Sequence, residues 1–275
     1  MTKTSEQLFH INITKEERER ELDNFRRLRE TVLVGGNVKD TILLLNDEIK
    51  AGKRILVEDC SSSTHDIDSG IYPYTDSFHT TTGAVCTGLG VPEESVETTI
   101  GVISALTFLN RAFLSHISHF PSQMDKEDPA YAKVSSGLDE RYGLSNEEFE
   151  IGWIDLNLVG HAERTNHLSS IFVTHLDLLD DLDEIKICTG YTNKEGKLIK
   201  NVLPANIETF GSWKPHYETF PGWKEDTRSA KTFDDLPDAA QTFIRILELR
   251  TKKEVTFVST SSELNKGMLR TRTSD

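Results

Sequence analysis

Two segments of this 275-residue sequence carry residue types that can hold a nucleotide. The first is Asp66-Ile-Asp-Ser-Gly-Ile-Tyr-Pro-Tyr74, followed by Thr80-Thr-Thr-Gly-Ala-Val-Cys-Thr-Gly-Leu-Gly90, and it gathers glycines and hydroxyls. Small residues let backbone N–H groups close on an anion, as in phosphate cradles, although a plain structural turn has the same composition. The second is Thr174-His-Leu-Asp177, at the end of an apolar run. A carboxylate there can accept from the ring N–H and amino group of a purine, or simply cap the turn that follows. His116 and His119 stand three apart with no third ligand in view, so a solvated or capping role outweighs metal binding. Asp180, Asp181, Asp183 and Glu184 have the charge for Mg2+ but the composition of a solvated turn. No Ser, His and Asp set has the spacing of a hydrolase. Cys60, Cys86 and Cys188 are few, odd in number and far apart, as expected of reduced, buried thiols rather than disulfides or a zinc knuckle. No metal ligands are assigned.

The elements that must position these segments follow from periodicity. From Lys15 to about Val34, charged residues surround Leu22, Phe25, Leu28 and Val32, the spacing of an amphipathic helix ended by Gly35-Gly36. Asn37 is read as the cap of a second helix with Val38, Ile42, Leu45 and Ile49 on one face and Gly52 as its stop. Arg54-Ile-Leu-Val-Glu58 reads as a strand opening into a loop from Asp59 to Val91, and a helix is predicted from about Pro92 to Ser115. Asp125 to Glu150, rich in carboxylates, reads as a long surface loop or a partly disordered segment. A helix from about Trp153 to Ser169 leads to a strand, Ile171 to Thr174. Ile185 to Tyr191 and Lys197 to Val202 form a hairpin around Asn193-Lys-Glu-Gly196; Leu236 to Arg250 is a helix, and Val255 to Val258 a final strand. This order predicts an α/β fold: a largely parallel sheet flanked by helices, with a small antiparallel hairpin and with ligands at the carboxyl ends of strands.

The net charge of -14 argues against nucleic-acid binding, which needs clustered cations. The sequence has no apolar leader region and no run of about 18 apolar residues. A cytoplasmic protein with no membrane partner is expected.

The phrases ILVED…DIDSGIYPY, TTTGAVCTGLGVP, GWIDL, VTHLDLLDDLDEIK, YETFPGWKEDT and FDDLPDAAQTFIRILE together resemble the adenylosuccinate synthetase family, purine-pathway enzymes that join IMP and aspartate using GTP. The last four fall in nearly gapless register. The resemblance runs from about Leu43 to Leu269 and covers the family's later part, which implies a truncated P-loop-NTPase-like fold. It divides the chain into a charged helical segment over 1–36, a partial synthetase-like domain over 37–270 and a tail over 271–275. Neighbouring strands would come from the earlier part, so an exposed sheet edge is expected.

The resemblance also implies roles. Asp177 matches the family's guanine-reading Asp, and Thr174 the Thr before it; His175 stands where the guanine-site Lys is expected. Ser259-Thr260-Ser261 aligns with the guanine-lining segment, Ser261 in place of Gly. At the IMP site Ser61 replaces Gln, and Asp76, beside Thr75, replaces a contacting Thr. The family's arginine-rich loop aligns with Asn146 to Trp153, so Glu147, Glu148, Phe149 and Glu150 stand where cations grip the substrates. No G-x-x-x-x-G-K-like segment occurs, and neither Asp40 nor His10 lies in a matching context, so no catalytic residue is assigned. The implied function is that of a synthetase-like protein of AMP biosynthesis with ligase chemistry impaired or absent, and with binding of GTP and Mg2+ weakened. The other readings are a non-catalytic interaction or nucleotide-sensing paralogue, paired as a homodimer or with a full-length relative, and a product without selected function.

Overall fold

The computed structural model describes residues 13–36, 38–59, 62–110, 120–144, 149–204, 207–263 and 266–270. They form two units, one of residues up to Leu56 with Leu89–Val91, the other of Val57–Gly88 with Pro92 onward.

In the first unit, helix α1 (Lys15–Arg29) begins with a capping box: Thr14 Oγ1 accepts from Glu17 N at 3.2 Å, and Glu17 accepts from Thr14 N at 2.9 Å. It continues as a π-helical turn, Glu30–Val34, before Gly36 at φ +69. Leu22, Phe25 and Leu28 are exposed along it. Helix α2 (Thr41–Lys50) is capped by Asp40, which accepts from Leu43 N at 3.0 Å; the predicted cap, Asn37, lies outside the described residues. Arg54 to Glu58 is not a strand. Ile55, Leu56 and Val57 are exposed, Leu56 at 92%, and among the described residues no neighbour pairs with them, so the extended run has no ladder to join.

The second unit holds every strand of the described residues. Helix α3 (Thr82–Leu89) starts within the predicted glycine-rich loop. The predicted helix from Pro92 is instead a single turn, Glu93–Ser95, followed by β1 (Ile100–Ser104) and β2 (Leu106–Asn110), broken at Ala105. Ile100, Val102, Ile103 and Thr107 are β-branched, and pairing with strands far along the chain outweighs the helical spacing. Residues 111–119, with His116 and His119, lie outside the described residues.

The predicted acidic loop also contains a helix, α4 (Pro129–Tyr142). Asp128 caps it by accepting from Ala130 N at 3.0 Å, Pro129 occupies its first turn, and Gly143 at φ +63 ends it. It forms because Tyr131, Val134 and Leu138 line one face and are buried. Trp153 likewise belongs to a strand, β3 (Phe149–Asp155), whose last five residues are all buried, and α5 (Leu156–Asn166) begins only after Asp155 caps it. An interior strand between two neighbours loses its polar face.

Four elements agree with expectation: β4 (Ser170–Thr174), the hairpin of β5 (Glu184–Thr192) and β6 (Leu198–Ile199), the helix α7 (Asp238–Thr251) and β8 (Glu254–Ser259); a short α6 (Ile207–Ser212), the strand β7 (Lys214–Pro221) and a last strand β9 (Gly267–Leu269) are not expected from the sequence. The α/β class holds, with two sheets. The first runs β1-β4-β8-β9, parallel except for the last pair. The second joins β2, β3, β5 and β6, with β7 also on β5; only β3 and β5 are parallel, so antiparallel pairing extends beyond one hairpin. One core, including Val134, Ile151, Ile171, Leu179, Ile244 and Val255, ties α4 and α7 to both sheets.

Candidate functional site

Val173 of β4 pairs with Val258 of β8 in parallel register, so the last residues of the two strands, Thr174 and Ser259, stand side by side. The two segments singled out as guanine-nucleotide positions thus meet at the carboxyl ends of adjacent strands, where α/β sheets present ligands. Thr174 Oγ1 donates to Ile103 O at 3.3 Å and lies 2.9 Å from His175 Nδ1. His175 turns the chain at φ +60 into the tight turn Leu176–Leu179. Its ring packs against Tyr142, with centroids 4.5 Å apart, and against Phe108 at 5.6 Å. Burial lowers its pKa, with Asp177 opposing, so the ring is neutral near pH 7. On the β8 side Thr260 is buried, Ser259 Oγ donates to Ser261 O at 3.0 Å, and Ser261 Oγ accepts from Glu263 N at 3.1 Å.

Asp177 is buried, and both its carboxylate oxygens have partners within the chain. Tyr142 O–H donates to Oδ1 at 2.6 Å, and Arg141 Nη1 lies 3.3 Å from Oδ2 while also donating to the Asp177 carbonyl. Burial raises the Tyr142 pKa, and the bond to Asp177 adds to it, so the phenol keeps its proton. Sequence reasoning missed both partners because they fall in the segment read as a loop. The signal was present: Pro129 and Gly143 bracket Tyr131, Val134 and Leu138 at helical spacing, which places residues 141 and 142 in a last turn.

Asp180 is the other correction. It is not part of a solvated turn: it accepts from Trp223 Nε1 at 2.7 Å and from Thr227 N and Oγ1 at 3.1 and 3.2 Å, and burial pushes its pKa up to about 6. It pins the turn after Asp177 to the chain around Trp223.

The hydroxyl-rich segment is a separate, tightly bonded loop. Asp66 at its centre accepts from Asp68 N, Ser69 N, Ser69 Oγ and Thr80 N; burial works to raise its pKa, and these bonds outweigh it and hold it low. Helix α5 anchors the loop through Asn166, whose Oδ1 accepts from Thr82 N at 2.8 Å and whose Nδ2 donates to Ser63 Oγ at 3.0 Å. Thr75 and Asp76 lie on this loop, with Asp76 N donating to His65 O at 2.7 Å; Ser61 lies outside the described residues. Asp177, by contrast, is held by α4. Of the positions aligned with arginines, Glu147 and Glu148 lie outside the described residues. Phe149 and Glu150 open β3, where Glu150 accepts from Gln123 Nε2 at 2.8 Å and lies 3.9 Å from Lys126 Nζ. No helix of the described residues is long and apolar enough to cross a membrane.

Comparison with known proteins matches this architecture. A family model described as adenylosuccinate synthetase matches residues 1–268, beginning well ahead of Leu43, where the recognisable phrases start. The adenylosuccinate synthetase of Geotalea daltonii is 36% identical over 211 residues, covering 77% of this chain and 47% of that protein. That of Streptomyces griseus is 37% identical over 211 residues, with the same shares of 77% and 47%. A solved structure of a fully ligated adenylosuccinate synthetase from Plasmodium falciparum superposes with a TM-score of 0.85 at 25% identity, over 98% of this chain and 62% of that one. The chain spans about half the length of the curated relatives it matches. With the family model covering nearly all of it, the chain belongs to the adenylosuccinate synthetase family.

Proposed function

We propose that this chain is a catalytically silent member of the family that serves purine nucleotide metabolism in the cytoplasm and forms no adenylosuccinate from IMP, aspartate and GTP. On this reading Thr174, His175, Asp177, Ser259, Thr260 and Ser261 are guanine-nucleotide positions. Ser61, Thr75 and Asp76 are remnants of an IMP site, and Glu147, Glu148, Phe149 and Glu150 replace the cationic loop. The observation that carries it is Glu150. Its side chain is only 12% exposed, bonded to Gln123 and 3.9 Å from the largely exposed Lys126 Nζ, too long for a close ion pair. A carboxylate so placed repels aspartate and phosphate alike. Losing one partner of a desolvated charge pair costs about 2–5 kcal/mol, and reversing its sign costs at least as much. The lower bound is already a factor of about 30 in affinity.

Within the 275 residues there is also no G-x-x-x-x-G-K-like segment to cradle phosphates. Mg2+ normally binds through nucleotide phosphates and one or two carboxylates. Its binding here would therefore follow that of the nucleotide, and no step is assigned to it. The net charge of -14 supports a reading without nucleic-acid partners.

The test is a ligase assay on the full chain with GTP, IMP, aspartate and Mg2+, followed by the ultraviolet rise of adenylosuccinate. No rise above the protein-free control is expected, and turnover at an ordinary enzymatic rate refutes the reading. A second reading, association with another copy or a full-length relative, is favoured by β1. This strand ends its sheet with Val102 67% and Ile100 42% exposed, an edge that can accept another strand. Light scattering that gives the 31.0 kDa mass of one chain, alone and with a full-length synthetase added, would refute it.

A further inference from the structure

We propose that Tyr142 and Arg141, the last two residues of α4, form an internal latch on Asp177, occupying the place that the donor edge of a guanine base would take. The inference rests on the reading of Asp177 as a guanine position and adds a form of regulation to it.

The Asp177 side chain is 0% exposed. An ionised carboxylate is acceptor-only, and here each oxygen faces a donor: the Tyr142 hydroxyl at 2.6 Å on Oδ1 and Arg141 Nη1 at 3.3 Å on Oδ2. Two donors set side by side across the two oxygens reproduce the pattern that a ring N–H and a neighbouring amino group present. A base can therefore reach Asp177 only by exchange. Its two hydrogen bonds replace two that already exist, and the internal donors compete without the loss of translational freedom that a ligand incurs. The apparent affinity for the base falls in proportion to the fraction of molecules with the latch open.

The two halves of the latch differ. The Tyr142 ring is held by its contact with His175, so its hydroxyl is fixed in place. The Arg141 side chain is 26% exposed and lines a surface cavity with Lys133, Glu140, Asp181 and Lys224, where Glu140 and Asp181 can take the guanidinium once it leaves Asp177. Opening thus begins at Arg141 and is completed when the phenol gives up Oδ1.

The experiment is calorimetric titration of GDP into the full chain, with ADP as the control, for wild type, Tyr142→Phe, Arg141→Ala, the double variant, and the double variant carrying Asp177→Asn. Tyr142→Phe removes one atom and keeps the ring against His175, so it guards against loss of fold. The expected result is weak binding of GDP by wild type, a gain of about tenfold or more in the double variant, smaller gains in the single variants, and loss of the gain with Asp177→Asn. ADP should gain nothing. Equal GDP affinity in wild type and the double variant, abolished by Asp177→Asn, overturns the latch and leaves the nucleotide reading intact. An equal gain for ADP also overturns the latch. Absence of GDP binding in every variant overturns both.

Discussion

Asp180→Asn exchanges a buried group with acceptors only for an amide with a single acceptor oxygen. Three donors converge on the native carboxylate: Trp223 Nε1 on Oδ1 at 2.7 Å, and Thr227 N and Oγ1 on Oδ2 at 3.1 and 3.2 Å. Burial pushes its pKa up to about 6, the bonds to Trp223 and Thr227 pull it back, and the Asp177 charge adds to the rise. An unfolded aspartate titrates near 3.9, so the displacement of about two units corresponds to about 3 kcal/mol. The folded state holds this proton more tightly than the unfolded chain. The group's contribution is therefore full below the unfolded value and is lost as the pH rises through about 6.

Asparagine cannot titrate, so the stability gap between wild type and variant should widen by about 2.4 kcal/mol as the pH falls from about 7.5 to about 4, with a steepest slope of about 1.1 kcal/mol per unit near about pH 5. At neutral pH the two proteins should differ less. There the variant leaves a buried donor facing its amide nitrogen, at about 1–3 kcal/mol, while escaping the penalty of a buried charge. Urea unfolding followed by tryptophan fluorescence across this range gives the gap at each pH. His65, His161 and His175, whose pKa values burial lowers, favour the folded state at higher pH, but they do so in both proteins and cancel in the difference. A constant gap, or one that narrows toward acid, refutes the assignment of the raised pKa to this buried carboxylate.

Two further substitutions test the packing that positions the site. In Gly222→Ala the new Cβ would sit 2.2 Å from Leu182 O and 2.8 Å from Leu182 C, backbone atoms that cannot rotate away, so a loss of about 3 kcal/mol or more is expected; a melting temperature equal to wild type would contradict it. Tyr191→Phe removes the O–H that donates to buried Asp155 Oδ2 at 2.7 Å, with an expected loss of about 1–3 kcal/mol in denaturant unfolding, and an unchanged midpoint would show that the oxygen finds another donor.

The sequence made the local features legible and left the long-range ones hidden. Asn193 to Gly196 announced a hairpin through turn chemistry, and the face of α7 was visible in its periodicity, because both signals lie within a few residues. The strands β4 and β8 were visible in the same way, whereas the nucleotide roles given to their ends came from the resemblance. Residues 100–110 satisfy helical spacing and β preference at once, and the choice falls to strand only because Ile100–Ser104 has β4 beside it, some 70 residues later. Asp180 read as one more charge in an acidic run. Its partners, Trp223 and Thr227, stand 43 and 47 residues away, and nothing local distinguishes a carboxylate that will meet them. Arg141 and Tyr142 were obscured because charged and small residues dilute the pattern of α4, although the Pro129 and Gly143 punctuation was there to be read.

The acidic balance of the chain takes its meaning from where individual carboxylates sit. Glu150, Asp177 and Asp180 are all withdrawn from solvent, and each is compensated differently: Glu150 by a neutral amide with a lysine nearby, Asp177 by a phenol and a guanidinium, Asp180 by an indole, a threonine and a rise in its proton affinity. Burying a carboxylate without such partners would cost several kcal/mol, and these contacts offset part of that cost. They also fix what a ligand can do. An anion brought to Glu150 meets a charge of its own sign, and a donor-bearing base brought to Asp177 meets oxygens already in use. On the proposed reading only the second obstacle can be lifted by rotating side chains, so a ligand response would enter through the end of α4.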